Sequence, residues 1–483
     1  MIELSLGEVA EIVGGGLEHA DPATPVTGPV EFDSREIGPG GLFVAFPGDR
    51  VDGHDYVGTA RERGAVASIV TRPVDGPSIV VADALTALAS LAAAVIRRLP
   101  DTVVVGVTGS SGKTSTKDLL AQLLAPHGAT VAPPGSFNNE LGHPYTVLRA
   151  TPDTRYLVLE TSARGIGHIR YLTDIAPPRI GAVLNVGSAH LGEFGSRDAI
   201  ARAKGELVES LSAAADGGVA VLNADDALVA AMATRTAARV VTVGEAAGAD
   251  VRATDVELDD LGRPTFTLRH RDLEARVSLR LVGRHHVGNA LAAYAVAVEC
   301  GVAPADVVAG LAAATPASRW RMELTERPDG LLVLNDAYNA NPESMHAALS
   351  TLARVAAARP GASWAVLGAM AELGDDTAAA HAELGRLAAG LGITRVVAVG
   401  NLARPSCDAA VLEGFGRHER DRGERWAAWV PDAEAAVALL RDEVAAGDVV
   451  LVKASRSAGL ERVALALVAA GETDETTTRG DER

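Results

Sequence analysis

Cysteine and long apolar runs are scarce in this sequence, and each shortage excludes a class of protein. Two cysteines, Cys300 and Cys407, are too few for a disulfide framework and fit a reducing compartment. The apolar run from Leu85 to Ile96 is shorter than the roughly 20 residues that span a bilayer. The first residues contain no basic segment of the kind that begins a signal peptide. We therefore expect a cytoplasmic protein without membrane insertion.

Basic residues are also fewer than acidic residues, at 44 against 62. The formal net charge of −18 and the pI near 5.1 argue against a broad basic surface for nucleic acid. Only four of the 44 basic residues are lysines: Lys113, Lys117, Lys204 and Lys453. Because arginine cannot provide a free amine, these lysines are candidates for amine chemistry. Lys117 is the exception, since the helix pattern places it on an exposed face.

The 483 residues are enough for three α/β domains of about 100–200 residues each. Residues 1–100 predict a small mixed α/β N-terminal domain. Across residues 101–316, strands alternate with helices, which is typical of a central parallel-sheet domain. The alternation restarts over residues 317–470 and predicts a Rossmann-like C-terminal domain. The tail at 471–483 is polar, and we expect it to be disordered.

The strongest functional signal is a glycine-rich loop between a buried strand and a helix. The strand Val103–Val107 leads into the run TGSSGKTS over residues 108–115. Small residues allow backbone N–H groups to approach phosphate oxygens, and the following helix adds a favourable field. Lys113 would reach the β- and γ-phosphates, and the Thr114 hydroxyl would reach Mg²⁺. The loop departs from the general phosphate-loop pattern at Val107, where glycine is usual.

Two further polar segments follow strand ends, where ligands bind in open α/β sheets. Glu160 follows one apolar run, and a segment from Asn185 to His190 follows another. Oxygen ligands suit Mg²⁺, so Thr114 and Glu160 are candidate ligands. An ammonium at Lys204 would repel a metal, whereas a carbamylated Lys204 would be an anionic oxygen ligand. His190 taken alone is typical of a hydrogen-bonded loop histidine.

Several blocks together resemble the Mur ligase family of ATP-dependent amide ligases that build the peptidoglycan stem peptide. In family order they are GVTGSSGKT at 106–114, FNNELG at 137–142, NVGSAH at 185–190, AKGE at 203–206, GRHHVGN at 283–289, NDAYNANP at 335–342 and LVKASR at 451–456. The blocks NDAYNANPESM at 335–345 and VLGAMAELG at 366–374 are similar to the member that joins D-alanyl-D-alanine to UDP-N-acetylmuramoyl-tripeptide. The resemblance implies an acyl-phosphate intermediate and these two small-molecule substrates.

The resemblance also implies a set of site residues. The ATP-binding residues would be Thr108, Gly109, Ser110, Ser111, Gly112, Lys113, Thr114, Ser115, Asn289, Arg321, Asp336, Tyr338 and Asn339. Thr114 and Glu160 would bind one Mg²⁺, and His190 and carbamylated Lys204 a second, with Lys113 completing the catalytic group. The other substrates would contact Ser34, Arg35, Gly48, Asn138, Asn139, Lys453, Ser455 and Arg456.

Three alternatives remain open at this point. Folylpolyglutamate synthase shares the core but would be expected to show the sequence DGAHNP where residues 336–342 stand. A nucleotide-driven switch or motor would hydrolyse ATP without an amine acceptor, and a non-enzymatic scaffold would leave Glu160 and Lys204 without a role. We expect a monomer, and we expect His285, His286 and His381 to be structural. The third residue of the stem peptide is not distinguished.

Overall fold

A computed structural model of the chain describes residues 1–48, 51–187, 191–371, 373–418 and 424–478. Within these ranges the backbone forms sheets of five, nine and seven strands and a two-stranded ribbon. The three larger sheets follow one another along the chain, and helices connect their strands. This arrangement confirms the α/β fold class with an N-terminal, a central and a C-terminal domain.

The first sheet is parallel except at one edge, where Gly16–Glu18 runs antiparallel. Its strands, in spatial order, are Gly16–Glu18, Ser78–Val80, Ala65–Val70, Gly41–Val44 and Val30–Glu31, and a ribbon pairs Leu4–Ser5 with Pro25–Val26. The helices of this region are Leu6–Val13, Val57–Glu62 and Ala84–Arg97. The last helix begins where the Asp83 side chain accepts a hydrogen bond from the Thr86 N–H at 2.7 Å.

The second sheet contains the predicted parallel core together with strands that the sequence pattern did not predict. In spatial order its strands are Leu273–Ser278, Pro264–His270, Val251–Leu258, Arg239–Gly244, Val219–Asn223, Ile180–Val183, Val103–Thr108, Tyr156–Glu160 and Thr130–Val131. Pro264–His270 and Leu273–Ser278 are antiparallel additions. Buried residues in the strands from Val251 to Ser278 mostly alternate with exposed or partly exposed ones, as expected of a sheet with one solvated face.

The helices of the central region alternate with the parallel strands. They are Lys113–Leu124, Gly142–Val147, His168–Ile175, Leu191–Phe194, Arg197–Glu209, Ala227–Ala230, His286–Glu299 and Pro304–Ala313. The strand Val103–Thr108 lies between Ile180–Val183 and Tyr156–Glu160. The three polar segments that follow these strands in the sequence are therefore neighbours at one edge of the sheet.

The third sheet is parallel except for the edge strand Glu323–Glu326. Its strands, in spatial order, are Glu323–Glu326, Leu332–Asp336, Val449–Lys453, Ser363–Leu367, Arg395–Val399, Trp426–Val430 and Gly416–Arg417. The connecting helices are Pro342–Ala356, Thr377–Gly390, Arg404–Leu412, Ala433–Glu443 and Glu461–Thr478. Every helix in the described ranges is too short or too polar to span a bilayer.

The hydrophobic cores do not follow the division into three sheets. One core combines N-terminal residues such as Leu42 and Leu88 with Leu157 and Leu159 of the central sheet. Two other cores consist almost entirely of residues between 322 and 467. The N-terminal sheet is thus fused to the central sheet, whereas the C-terminal sheet has cores of its own.

Two details differ from the sequence-based expectations. The last helix, Glu461–Thr478, extends into the segment 471–483 that was expected to be disordered. Lys117 is buried, not exposed: its side chain is 3% accessible, and its Nζ donates to the Pro133 carbonyl at 2.9 Å and pairs with Asp118. The chain beyond the short strand Thr130–Val131 covers this face of the helix.

Candidate functional site

One cleft of about 810 Å³ lies at the carboxyl ends of the central strands and is also lined by the C-terminal domain. It brings together many of the predicted site residues: Ser110, Ser111, Gly112, Lys113, Thr114, Ser115, Asn138, Asn139, Glu160, Asn289, Arg321, Asp336, Tyr338, Asn339, Lys453 and Arg456. Among the residues that the structure describes, the lining does not include Thr108, Gly109, Lys204, Ser455, Ser34, Arg35 or Gly48. His190 lies outside the described residues.

The phosphate loop has the backbone geometry that its sequence predicts. The strand ends at Thr108 and the helix begins at Lys113. Gly112 has a φ of 82°, and a Cβ there would lie 2.4 Å from the Asn289 side-chain oxygen, so glycine is needed for both reasons. The first N–H groups of the helix, through Ser115, have no intrahelical acceptor and can bind phosphate oxygens.

The Lys113 side chain, at the start of the helix, folds back onto the preceding loop. Its Nζ donates to the Gly109 carbonyl at 2.8 Å. Burial lowers the pKa of Lys113, the Glu160 carboxylate raises it, and the Arg321 charge lowers it further. An anionic ligand in the cleft would favour the charged form of this amine.

Asn185 holds the loop from the neighbouring strand end and was not among the predicted site residues. Its Oδ1 accepts from the Ser111 N–H at 2.9 Å, and its backbone carbonyl accepts from the Ser110 N–H at 3.1 Å. The backbone N–H groups of Ser110 and Ser111 are therefore engaged within the protein. The N–H groups from Gly112 to Ser115 are therefore the candidates for contact with phosphate. The sequence placed Asn185 in a polar segment at a strand end but did not predict its contacts with the loop.

Thr114 and Glu160 form a pair of oxygen donors at the helix start. The Thr114 Oγ lies 3.1 Å from the Glu160 Oε2, and Ser136 and Asn138 donate to the Glu160 Oε1 at 3.0 and 2.7 Å. Among the described residues, no group of three or more His, Cys, Asp and Glu side chains is arranged to hold a metal ion by itself. One carboxylate and one hydroxyl, completed by substrate phosphates, nevertheless fit the oxygen ligands that Mg²⁺ prefers.

Lys204 lies on the helix Arg197–Glu209 and is 5% exposed. Burial, and secondarily the charge of Lys113, hold the pKa of Lys204 well below its ordinary value. Burial of an amine favours its neutral form, which is the reactive form.

Arg321 connects the linker between the second and third sheets to the phosphate loop. Its Nη2 donates to the Thr114 Oγ at 3.0 Å, and its guanidinium lies 4.2 Å from the Tyr338 ring centroid. Its buried Nε has no hydrogen-bond partner among the described residues. The flanking residues Trp320 and Met322 have φ values of 59° and 51°. This left-handed conformation costs about 1–3 kcal/mol of free energy for each residue. An anionic ligand oxygen would satisfy the unpaired donor.

Asp336 and Lys453 form a buried ion pair at adjacent strand ends of the C-terminal sheet. The Lys453 Nζ lies 2.5 Å from the Asp336 Oδ2 and donates to the Asn339 carbonyl at 2.9 Å. The Asp336 Oδ1 accepts from the Met322 N–H at 3.1 Å. Burial lowers the pKa of Lys453, and Asp336 opposes that effect. The pair fixes the linker end to the C-terminal side of the cleft.

The remaining C-terminal candidates have different surroundings. The Arg456 guanidinium lies 4.2 Å from the Trp320 ring centroid and pairs with Glu461 at 2.7 Å. The Ser455 Oγ accepts from the Ala371 N–H at 2.9 Å. Arg456 therefore faces the cleft, while Ser455 organises the backbone behind it.

The N-terminal candidates are separate from the cleft lining. Ser34 is buried, and Arg35 is exposed and pairs with Asp33 at 2.6 Å. Hydrogen bonds from Arg35 lower the pKa of Asp33 to about 2. Gly48 is exposed to solvent.

Models of protein families match most of this chain. The Mur ligase family catalytic domain matches residues 29–100, the Mur ligase middle domain residues 107–297, and the Mur ligase glutamate ligase domain residues 320–456.

Individual relatives match over nearly their full length. The UDP-N-acetylmuramoyl-tripeptide–D-alanyl-D-alanine ligase of Mycobacterium tuberculosis is 53% identical over 97% of this chain and 98% of its own. The Escherichia coli enzyme of the same name is 37% identical over 97% and 99%. MurF from Acinetobacter baumannii superposes with a TM-score of 0.84 at 31% identity, covering 97% and 99%. MurF from Thermotoga maritima in complex with ADP gives 0.77 at 30% identity, covering 93% and 99%.

Proposed function

The chain belongs to the Mur ligase family, and on that basis we propose that it joins D-alanyl-D-alanine to UDP-N-acetylmuramoyl-tripeptide at the expense of ATP. The product would be UDP-N-acetylmuramoyl-pentapeptide, a peptidoglycan precursor. The observation that carries this proposal is the single cleft in which the phosphate loop meets Asn138 on one side and Lys453 of the C-terminal domain on the other. Near-full-length relatives named for this reaction support the choice of substrates.

The chemistry begins with a carboxylate, which is a poor electrophile. An oxygen of the terminal tripeptide carboxylate attacks the γ-phosphorus of ATP, the bond to the bridging oxygen breaks, and ADP leaves. The N–H groups from Gly112 to Ser115 and the Lys113 amine hold the phosphates, and Arg321 offers a buried donor beside them. Fixed donors aimed at developing charge are the main means by which proteins accelerate such transfers.

The second step forms the amide. The amine nitrogen of the dipeptide attacks the acyl carbon of the acyl phosphate, and inorganic phosphate leaves as the tetrahedral intermediate collapses. The amine loses a proton in the process. Water in the cleft would hydrolyse the acyl phosphate, so the enclosure of the site by two domains protects the intermediate.

We also propose that Thr114 and Glu160 hold one Mg²⁺, and that His190 and a carbamylated Lys204 hold a second. Bound Mg²⁺ neutralises phosphate charge. The short distance between the Thr114 and Glu160 oxygens supports the first site. The depressed pKa of Lys204 supports the second, because the neutral amine is the form that reacts with CO₂.

The remaining assignments follow the same logic. We propose that residues 1–100 bind the uridine end of the substrate through Ser34, Arg35 and Gly48, that 101–316 bind ATP, and that 317–470 receive the dipeptide. Both substrates of the reaction are small molecules. The single chain supplies both walls of the cleft, which supports a monomer, and the nucleotide substrates support action in the cytoplasm.

The decisive experiment measures ATP-dependent phosphate release with UDP-N-acetylmuramoyl-tripeptide, with and without D-alanyl-D-alanine, and weighs the products by mass spectrometry. We expect strong stimulation by the dipeptide and a pentapeptide product, with Lys113→Ala as the inactive control. Phosphate release that ignores the dipeptide, without amide formation, would overturn the ligase assignment. Folate substrates would then test the folylpolyglutamate alternative, and nucleotide hydrolysis alone would indicate a switch.

A further inference from the structure

Asn341 begins the longest fully described helix of the C-terminal domain. Its φ of −143° and ψ of 164° are those of an N-cap, and its Oδ1 accepts from the Ser344 N–H at 2.9 Å. The Asn341 N–H donates in return to the Ser344 Oγ at 3.0 Å. This capping box satisfies donors at the start of the helix Pro342–Ala356.

The cap also fixes the orientation of the Asn341 amide. Because the Ser344 N–H requires an acceptor, the amide oxygen must face the helix and the Nδ2 must face away from it. The Nδ2 donates to the backbone carbonyl of Ser110, in the phosphate loop of the central domain, at 3.3 Å. Asn341 is only 5% exposed, so water does not readily replace this hydrogen bond.

Ser110 is held through each of its polar groups. Its N–H donates to the Asn185 carbonyl at 3.1 Å, and its Oγ accepts from the Gly187 N–H at 2.9 Å. Only the third contact, from Asn341 to the carbonyl, comes from the other domain. The same helix start also approaches Gly187, where an added Cβ would lie 2.7 Å from the Glu343 carboxyl carbon.

We propose that Asn341 is a positioning residue for the phosphate loop. The docked C-terminal domain uses the cap side chain of its own helix to hold Ser110, and thereby holds the N–H groups from Gly112 onward in the geometry that receives phosphate. Separation of the domains removes this support, so nucleotide affinity depends on domain docking. The inference rests on the proposed use of the loop to bind ATP.

The test uses Asn341→Asp in the full-length protein. Aspartate is as good an N-cap as asparagine, but it has no amide donor and places a carboxylate oxygen against the Ser110 carbonyl. We expect the dissociation constant for ATP and the KM for ATP to rise roughly five- to tenfold. We expect the KM for D-alanyl-D-alanine to remain close to the wild-type value, whereas the buried carboxylate should lower the melting temperature. Hydrogen exchange in the peptide over residues 106–116 should increase.

Two further variants keep the result interpretable. Asn341→Ser retains a capping side chain without an amide donor, and it should weaken ATP binding in the same way without introducing a charge. Asp432→Ala removes the cap of another C-terminal helix, where Asp432 accepts from the Ala435 N–H at 2.8 Å, and should lower stability without changing ATP affinity. Wild-type ATP affinity and loop exchange in both Asn341 variants would overturn the inference while leaving the ligase assignment intact. If wild-type protein failed to bind ATP, both proposals would fall.

Discussion

At the scale of single residues, burial decides what chemistry a lysine can perform in this protein. The pKa of Lys204 lies well below its ordinary value because the amine is buried and Lys113 adds a like charge. In the carbamylation that we propose, the neutral amine attacks CO₂: a nitrogen–carbon bond forms, one N–H proton passes to solvent, and an anionic carbamate remains. A guanidinium has no free amine and cannot undergo this conversion at the same position.

Replacement of Lys204 tests this chemistry. We expect both Lys204→Ala and Lys204→Arg to lower the turnover number by about 100-fold or more, because neither can provide the anionic oxygen. Short carboxylic acids should restore part of the activity of Lys204→Ala in a phosphate-release assay. Arg202→Ala, an exposed position on the same helix, is the matched control and should stay near wild type. An active Lys204→Arg enzyme would contradict the carbamate.

His381 gives a prediction about pH, and its structural character agrees with the sequence-based expectation. Its Nε2 accepts from the Met370 N–H at 3.0 Å, so its Nδ1 carries the proton donated to the Thr377 carbonyl at 2.7 Å. Burial lowers the pKa of His381, although the Thr377 carbonyl raises it. The unfolded chain binds a proton near pH 6.5 that the folded state resists, so stability falls as the pH drops below about 6.5.

The corresponding experiment compares the free energy of unfolding of wild type and His381→Asn between pH 7.5 and pH 5. The variant should be less stable at pH 7.5 by about 1–3 kcal/mol, because the buried Met370 N–H loses its acceptor. Its stability should nevertheless decline less steeply toward pH 5. The exposed His346→Asn should show the wild-type slope. If the free energy of unfolding of His381→Asn fell with pH as steeply as that of wild type, the acid sensitivity would come from other groups.

At the scale of elements, the phosphate loop depends on one glycine more than on its neighbours. Gly112 combines a φ of 82° with a Cβ position 2.4 Å from Asn289, whereas a Cβ on Gly288 would meet nothing within 4 Å. We expect Gly112→Ala to lower kcat/KM for ATP at least tenfold, since the loop or the helix bearing Asn289 must move. Gly288→Ala should stabilise its helix by up to about 1 kcal/mol with wild-type kinetics. Equal behaviour of the two variants in steady-state assays would show that the loop tolerates a side chain.

The sequence predicted the elements that local patterns determine. The strand Val103–Thr108, the glycine turn and the helix start at Lys113 follow from apolar runs and small residues. Contacts made across the chain were not accessible in this way. Asn185 and Asn341 hold the loop from 74 and 231 residues away, and Lys117 is buried by a segment whose strand is two residues long. The periodicity of hydrophobic residues within a helix or strand cannot reveal such long-range contacts.

At the scale of the whole molecule, one core joins the first two sheets, and the third sheet has cores almost entirely of its own. The N-terminal domain shares a core with the central sheet, and Leu88 of that core is fully buried. Leu440 is equally buried in a core of the C-terminal domain alone. The three sheets therefore need not unfold as three independent units.

Calorimetry of the full chain would reveal this division. We expect two transitions, with Leu440→Ala lowering one and Leu88→Ala lowering the other, each by about 2–5 kcal/mol of unfolding free energy. Hydrogen exchange should show that Leu88→Ala loosens the central strand Tyr156–Glu160 together with the N-terminal sheet. A third transition that responds to Leu88→Ala while the central strand stays protected would contradict the shared core.

The few lysines of the chain have a consequence for its susceptibility to proteolysis. Lys117, Lys204 and Lys453 are no more than 5% exposed, and Lys113 is half-buried in the phosphate loop. A lysine-specific protease thus meets hardly any accessible cleavage site on the native surface, despite a chain of 483 residues. Cutting at Lys453 would record the opening of the C-terminal domain, and cutting at the other three sites would record the opening of the rest. Cleavage at the four native lysines can therefore be used to follow the opening of each part of the molecule, without an engineered probe.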